Sequence, residues 1–105
     1  MHNTIKVFIV DDHQLVIEGI KSLLNDDENI EIIGSATNAE RCLHYFKHHI
    51  ADVILMDISL PDMIGIDLCK IISDKYPTIK IIALSTFTEG TYVRKMIEKI
   101  GRAHV

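Results

Sequence analysis

Four short apolar runs, rich in β-branched residues, alternate along the chain with stretches of helical period, and this alternation constrains the fold more than any other feature. The runs are IKVFIV at Ile5–Val10, IEIIGSA at Ile30–Ala36, DVILM at 52–56 and IKIIAL at 79–84. Three of them are nearly continuous, as expected of strands buried on both faces of a parallel sheet. Between the runs, Val16, Ile20, Leu23 and Leu24 mark one helix face, Ala39, Cys42, Leu43 and Phe46 a second, and Ile64, Leu68, Ile71 and Ile72 a third. Val93, Met96 and Ile97 begin a fourth. Each set follows the i, i+3, i+4, i+7 spacing or lies close to it. The order β-α-β-α-β-α-β-α predicts an α/β fold, a doubly wound parallel sheet with right-handed crossovers and helices on both faces.

A chain of 105 residues accommodates one such domain and not two. With no Trp and only 6% aromatics, its core must be aliphatic. The net charge of −4 argues against a nucleic-acid surface, because nonspecific DNA affinity comes from an excess of Lys and Arg. Cys42 and Cys69 form no CxxC and sit among apolar residues, which favours small buried thiols and a reduced, cytoplasmic chain. No apolar run approaches the ~18 residues of a membrane helix, and the start lacks a signal-peptide pattern.

In open parallel sheets, ligand chemistry lies at the carboxyl ends of the strands. There the first run ends in Asp11 and Asp12, the third in Asp57, and the fourth in Ser85 and Thr86. A lone strand-end Asp is commonly a solvated loop start or a helix cap, and Asp12 could cap the first helix and Asp62 the third. Three carboxylates converging from two strands are different. Two like charges ~4 Å apart repel by about 4 kcal/mol at an effective dielectric near 20, so a carboxyl is protonated or a divalent cation sits among them. Oxygen ligands of this kind suit Mg²⁺. The two carboxylates after the first strand also disfavour a bare mononucleotide site, where Gly, Ser or Thr would present backbone N–H groups to phosphate.

These residues resemble the receiver domain of two-component response regulators. The likeness runs through VFIVDDHQLVIEGIKSLL, IIGSATNAERCL, DVILMDISLPDMIGIDLCKII and IIALSTFTEGTYVRKMI, and LMDISLPDMIG is its most specific block. The opening DDH and the FTEGTYVRKMIE segment are most similar to regulators with a LuxR-type helix-turn-helix output domain. The resemblance implies a flavodoxin-like sheet in which Asp57 accepts a phosphoryl group from a sensor histidine kinase or a small donor such as acetyl phosphate. It further implies that Asp12, Asp57 and the backbone carbonyl of Ser59 ligate Mg²⁺, with Asp11 acting largely through bound water. Ser85 would be the switch hydroxyl, with Thr86 in that role if the register slips by one. Pro61 and Gly65 would form the turn into the third helix. Such a domain is a switch that assists its own phosphoryl transfer and dephosphorylation, not a turnover enzyme. It controls an output domain, here expected to bind DNA and to lie outside this chain, while the receiver itself touches neither nucleic acid nor membrane. A homodimer is left open.

The family pattern also includes a fifth strand, a fifth helix and a Lys at the end of that strand, and no match for them follows MIEK. Residues 1–99 are therefore expected to form an incomplete receiver. The last six residues, IGRAHV, resemble the translation of a common sequencing-library adapter, so 100–105 are expected to be a non-native tail. The fourth strand would then be an edge with an uncovered apolar face and the isolated chain poorly stable. The missing Lys keeps a phosphorylation-incompetent pseudo-receiver or interaction module as an alternative. A Mg²⁺-dependent phosphatase of the haloacid dehalogenase kind fits less well, since its DxD acid would be Ser59 here. His44 and His48 have the spacing of some zinc pairs but, like His49, read as solvated surface near a helix end. His13 is assigned no catalytic part, and Tyr92 reads as a packing residue as readily as an output-face one.

Overall fold

The computed structural model describes residues 4–84 and 97–99. The β-branched runs form four strands, β1 (Ile5–Val10), β2 (Ile30–Ala36), β3 (Val53–Asp57) and β4 (Lys80–Leu84). All pair in parallel, in the order β2-β1-β3-β4. Helices α1 (Gln14–Leu24), α2 (Ala39–Tyr45) and α3 (Gly65–Lys75) make the connections. β3 starts one residue later than the sequence suggests because Asp52 is used as a clamp. Its backbone N–H donates to Lys6 O, its carboxylate accepts from Lys6 N at 2.8 Å, and its carbonyl accepts from Lys80 N.

Alternation along the strands sorts the core into two layers. Val7, Ile9, Val53, Leu55, Ile82 and Leu84 pack with Ile17 and Leu24 of α1 and with Ile97. Phe8, Val10, Ile54 and Met56 face Ala39 and Cys42 of α2, Phe46, and Leu68 and Ile72 of α3. A sheet covered on both faces explains why its strands read as continuous apolar runs. In the second layer, the Phe8 ring lies 4.4 Å from that of Tyr45 and 4.9 Å from that of Phe46. Truncating a buried ring of this kind costs about 3–5 kcal/mol.

The β1–β2 register shifts between Val7 and Phe8, and Tyr45 Oη donates to the carbonyl of Ile33 on the shifted strand. Gly34 stands opposite Phe8 there, and a Cβ at that position would come within 3.1 Å of the ring.

The helix faces differ from their predicted form in two places. On α1, Val16 is 41% and Leu23 52% exposed; the expected Leu24 is buried, Ile17 joins it in the seam, and Ile20 lies partly buried beside them. On α3, Ile64 precedes the helix as its N-cap and is exposed, so Leu68 and Ile72 carry the packing. The expected caps also fall elsewhere. His13, not Asp12, is the N-cap of α1, and neither α1 nor α3 has a side-chain cap. The fourth helix face at Val93 and Met96, Tyr92, and the tail at 100–105 lie outside the described residues. Among the described residues β4 is an edge strand, and no helix is long and apolar enough to cross a membrane.

Candidate functional site

Sheet register brings the site together. Val10 pairs with Met56, so the residues that follow them, Asp11 and Asp57, leave adjacent strands at the same level. Asp11 is buried, and its backbone N–H donates to the carbonyl of Ala36 at the end of β2. Asp12 lies beside it on the β1–α1 turn, more open to solvent. Asp57, the last residue of β3, is half-buried, and its Oδ1 accepts the Ser59 N–H at 3.0 Å.

Asp11, Asp12, His13 and Asp57 each offer a ligand atom within 4.8 Å of the others. The three predicted acids are therefore brought together as expected, and the group could hold a metal ion. Three carboxylates at the ends of two adjacent strands form an oxygen-rich donor set of the type that hard divalent cations take.

His13 is the member that sequence reasoning left out. Its backbone N–H donates to Asp11 Oδ1 at 2.8 Å, and its Nδ1 lies 3.2 Å from that oxygen and 2.8 Å from Asp12 Oδ1. The hydrogen bond to Asp11, followed by the charge of Asp12, holds the imidazole above its ordinary value of 6.5. A protonated His13 partly offsets the crowded carboxylates. Its place directly after an acid pair, at the helix cap, was the available sequence signal.

The loop from β3 to α3 completes the site. Ser59 and Ile64 form an antiparallel bridge, and Gly65 N donates to Ile58 O at 2.8 Å, closing the loop at its base. Pro61 lies in the closed segment and Gly65 at its base, the two residues expected to form the turn, and Asp62 lies between them. Asp62, however, does not cap α3. Its two oxygens accept from Ala39 N at 2.9 Å and Glu40 N at 3.0 Å, the first backbone N–H groups of α2. Those bonds hold its carboxyl below the ordinary 3.8. The switch candidates Ser85 and Thr86 lie outside the described residues. Leu84, the residue before them, pairs with Asp57.

Away from this rim the remaining candidates have structural surroundings. His44, His48 and His49 are exposed, and the His49 ring stacks on Tyr45 at 4.1 Å. Cys42 is buried and Cys69 half-buried, with the Cys69 thiol 3.4 Å from Met56 Sδ.

An open parallel sheet with an acid cluster at the carboxyl ends of its two central strands defines a class of α/β domains whose ligand chemistry sits at that rim. The profile of the response regulator receiver domain matches residues 7–104. The chain belongs to that family. It is 31% identical over 96 residues to the transcriptional regulatory protein DegU of Brevibacillus brevis, covering 91% of this chain and 41% of DegU. It is 34% identical over 94 residues to the response regulator UvrY of Escherichia coli K12, covering 90% of this chain and 43% of UvrY. The chain thus spans less than half the length of these curated relatives. Among solved structures, the REC domain of AraT from Geobacillus stearothermophilus superimposes with a TM-score of 0.84 at 25% identity, covering 95% of each chain. The RcsB response regulator of Salmonella typhimurium shares the fold, with a TM-score of 0.89 at 22% identity over 95% of this chain and 62% of that one.

Proposed function

We propose that this receiver domain accepts a phosphoryl group on Asp57 with the help of Mg²⁺. The reading rests on one observation, the convergence of Asp11, Asp12 and Asp57 within 4.8 Å at the ends of adjacent strands in a chain of this family. Asp12, Asp57 and the Ser59 carbonyl would hold the ion, with Asp11 acting through water. Mg²⁺, when bound, supplies charge that offsets the carboxylates and the incoming phosphoryl oxygens. One oxygen of Asp57 is fixed by the Ser59 N–H. The other forms the new O–P bond while the P–N bond of a sensor histidine kinase's phosphohistidine, or the P–O bond of acetyl phosphate, breaks. The bonding pair leaves with the donor. Ser85, or Thr86, is the hydroxyl proposed to bond the phosphoryl group and carry the signal along the fourth strand.

The signal would pass to an output domain outside this chain. DegU is named as a transcriptional regulator, and RcsB structures include complexes with promoter DNA, which supports a DNA-binding output. We place the protein in the cytoplasm, and this domain makes no DNA contact of its own, a reading that its net charge of −4 supports. Incubation with acetyl phosphate and Mg²⁺ followed by intact-mass measurement tests the site. A gain of one phosphoryl group is expected, abolished by EDTA and by Asp57→Asn. An equal gain in the variant, or none in a folded wild-type sample, overturns the proposal.

A further inference from the structure

The loop that follows Asp57 is tied down at two places of different kind. At its base, the Ser59–Ile64 bridge and the Gly65–Ile58 hydrogen bond pinch residues 58–65 into a closed unit. At its tip, Asp62 spans 23 residues of sequence to Ala39 and 22 to Glu40, using both carboxylate oxygens on their backbone N–H groups. Asn38 takes the next N–H, that of Arg41, at 2.8 Å. The first three N–H groups of α2 are therefore all satisfied by side chains, two of them from the loop that carries Ser59.

Leu60 and Met63 pack partly buried against the core layer of α2 and α3, which gives the loop grip but little direction. Hydrogen bonds from two fixed donors to an ionised carboxylate are directional and among the stronger of their type. From this juxtaposition we propose that Asp62 is a positioning residue for the phosphoacceptor site, holding the Ser59 segment against α2 so that its carbonyl and Asp57 keep the geometry a cation requires.

The proposal rests on the reading of the acid cluster as a Mg²⁺ site. It is distinct from a role in which Asp62 merely caps α2, because it makes metal binding depend on a carboxylate that never touches the metal. Groups that orient metal ligands without binding the ion typically change affinity about 10–100-fold when removed. The coupling must also run both ways, since linkage between two equilibria is reciprocal.

The test uses the chain with Mg²⁺ alone as probe, comparing wild type with Asp62→Ala and Asp62→Asn. Binding is followed by amide chemical shifts and loop order by hydrogen exchange at individual amides. Asp62→Ala is expected to weaken Mg²⁺ roughly tenfold and to speed exchange at Gly65 as well as at Ala39 and Glu40. Asp62→Asn, with one acceptor oxygen left, should fall between them and serves as the comparison if the Ala variant does not fold. Adding Mg²⁺ to wild type should slow exchange at Ala39 and Glu40. If the variants lose protection only at Ala39 and Glu40, with Gly65 exchange and Mg²⁺ affinity unchanged, Asp62 is a helix cap and the proposal is overturned. A folded wild-type chain that binds no Mg²⁺ would instead overturn the reading of the acid cluster. Exchange at Gly65 would then decide alone whether Asp62 holds the loop.

Discussion

Gly65 lies so close to Ile58 that a Cβ built on it would sit 2.7 Å from the Ile58 Cα and 2.8 Å from its carbonyl oxygen, with the Asp57 carbonyl at 3.0 Å. Its φ is not positive, so the need for glycine here is one of space. The neighbours are backbone, and backbone cannot turn aside as the end of a side chain can.

Gly65→Ala should therefore pry open the base of the loop beside Asp57. Forced overpacking of this sort costs about 1–3 kcal/mol. The expected result is a lower melting temperature with a larger proportional loss of phosphoryl acceptance from acetyl phosphate, since the displaced atoms adjoin Asp57 itself. Unchanged acceptance would show that the loop adjusts without moving the carboxylate.

The strands and the acid cluster were legible because both are written locally. Strand-forming runs announce themselves by composition, and the strand-end position of Asp11, Asp12 and Asp57 follows once the alternation of elements is recognised. What escaped depends on rotation or on distance in sequence. Val16 and Leu23 satisfy the helical spacing as well as Ile17 does, and only packing on β1 and β3 decides that Ile17 joins Leu24 in the buried seam. Asp62 stands three residues before Gly65 and so reads as a cap for α3, yet its partners are on α2, more than twenty residues earlier. His13 was assigned no part because its place after an acid pair, the one local signal, does not reveal that its ring folds back onto Asp11 and Asp12.

The acid cluster should cost the metal-free chain stability. Carboxylates about 4–5 Å apart repel by roughly 3–4 kcal/mol at an effective dielectric near 20, an upper figure that His13 reduces. Asp57→Asn removes one charge and can retain the Ser59 N–H on its amide oxygen. A gain of about 1 kcal/mol would raise the melting temperature in EDTA by roughly 4–8 °C. Added Mg²⁺ should raise the wild-type melting temperature and leave the variant's nearly unchanged. A variant that melts below wild type in EDTA would mean that Asp57 is held by favourable contacts that outweigh the repulsion.

The two thiols should differ in reactivity. Burial, then the neighbouring Cys69, pushes Cys42 from 9.0 up to about 12, whereas Cys69 is raised by burial alone and stays partly open to solvent. Thiolate is the reactive form, so at pH 8 a disulfide-forming reagent should modify Cys69 first. Cys42 should react on the order of a hundredfold or more slowly than in the denatured chain. Mass spectrometry of the singly labelled species would locate the site, and label first on Cys42 would contradict this packing of α2 against α3.

Asp62 gives the chain a signature at acid pH. Its ordinary value is 3.8, and the Ala39 and Glu40 N–H groups lower it in the folded state. The unfolded chain therefore binds a proton on Asp62 at a higher pH than the folded chain does. The stabilisation is fully present above 3.8 and is lost as pH falls from there through the lower folded value. Asp62→Asn has no such proton to take up, and every other carboxylate titrates in both proteins, so their difference isolates this one group. At pH 7 wild type should melt above Asp62→Asn, and the gap should narrow steadily below pH 4. A gap that stays constant down to pH 3 would mean that the bonds to α2 contribute equally with Asp62 neutral, and that its charge plays no part in joining the loop to the helix.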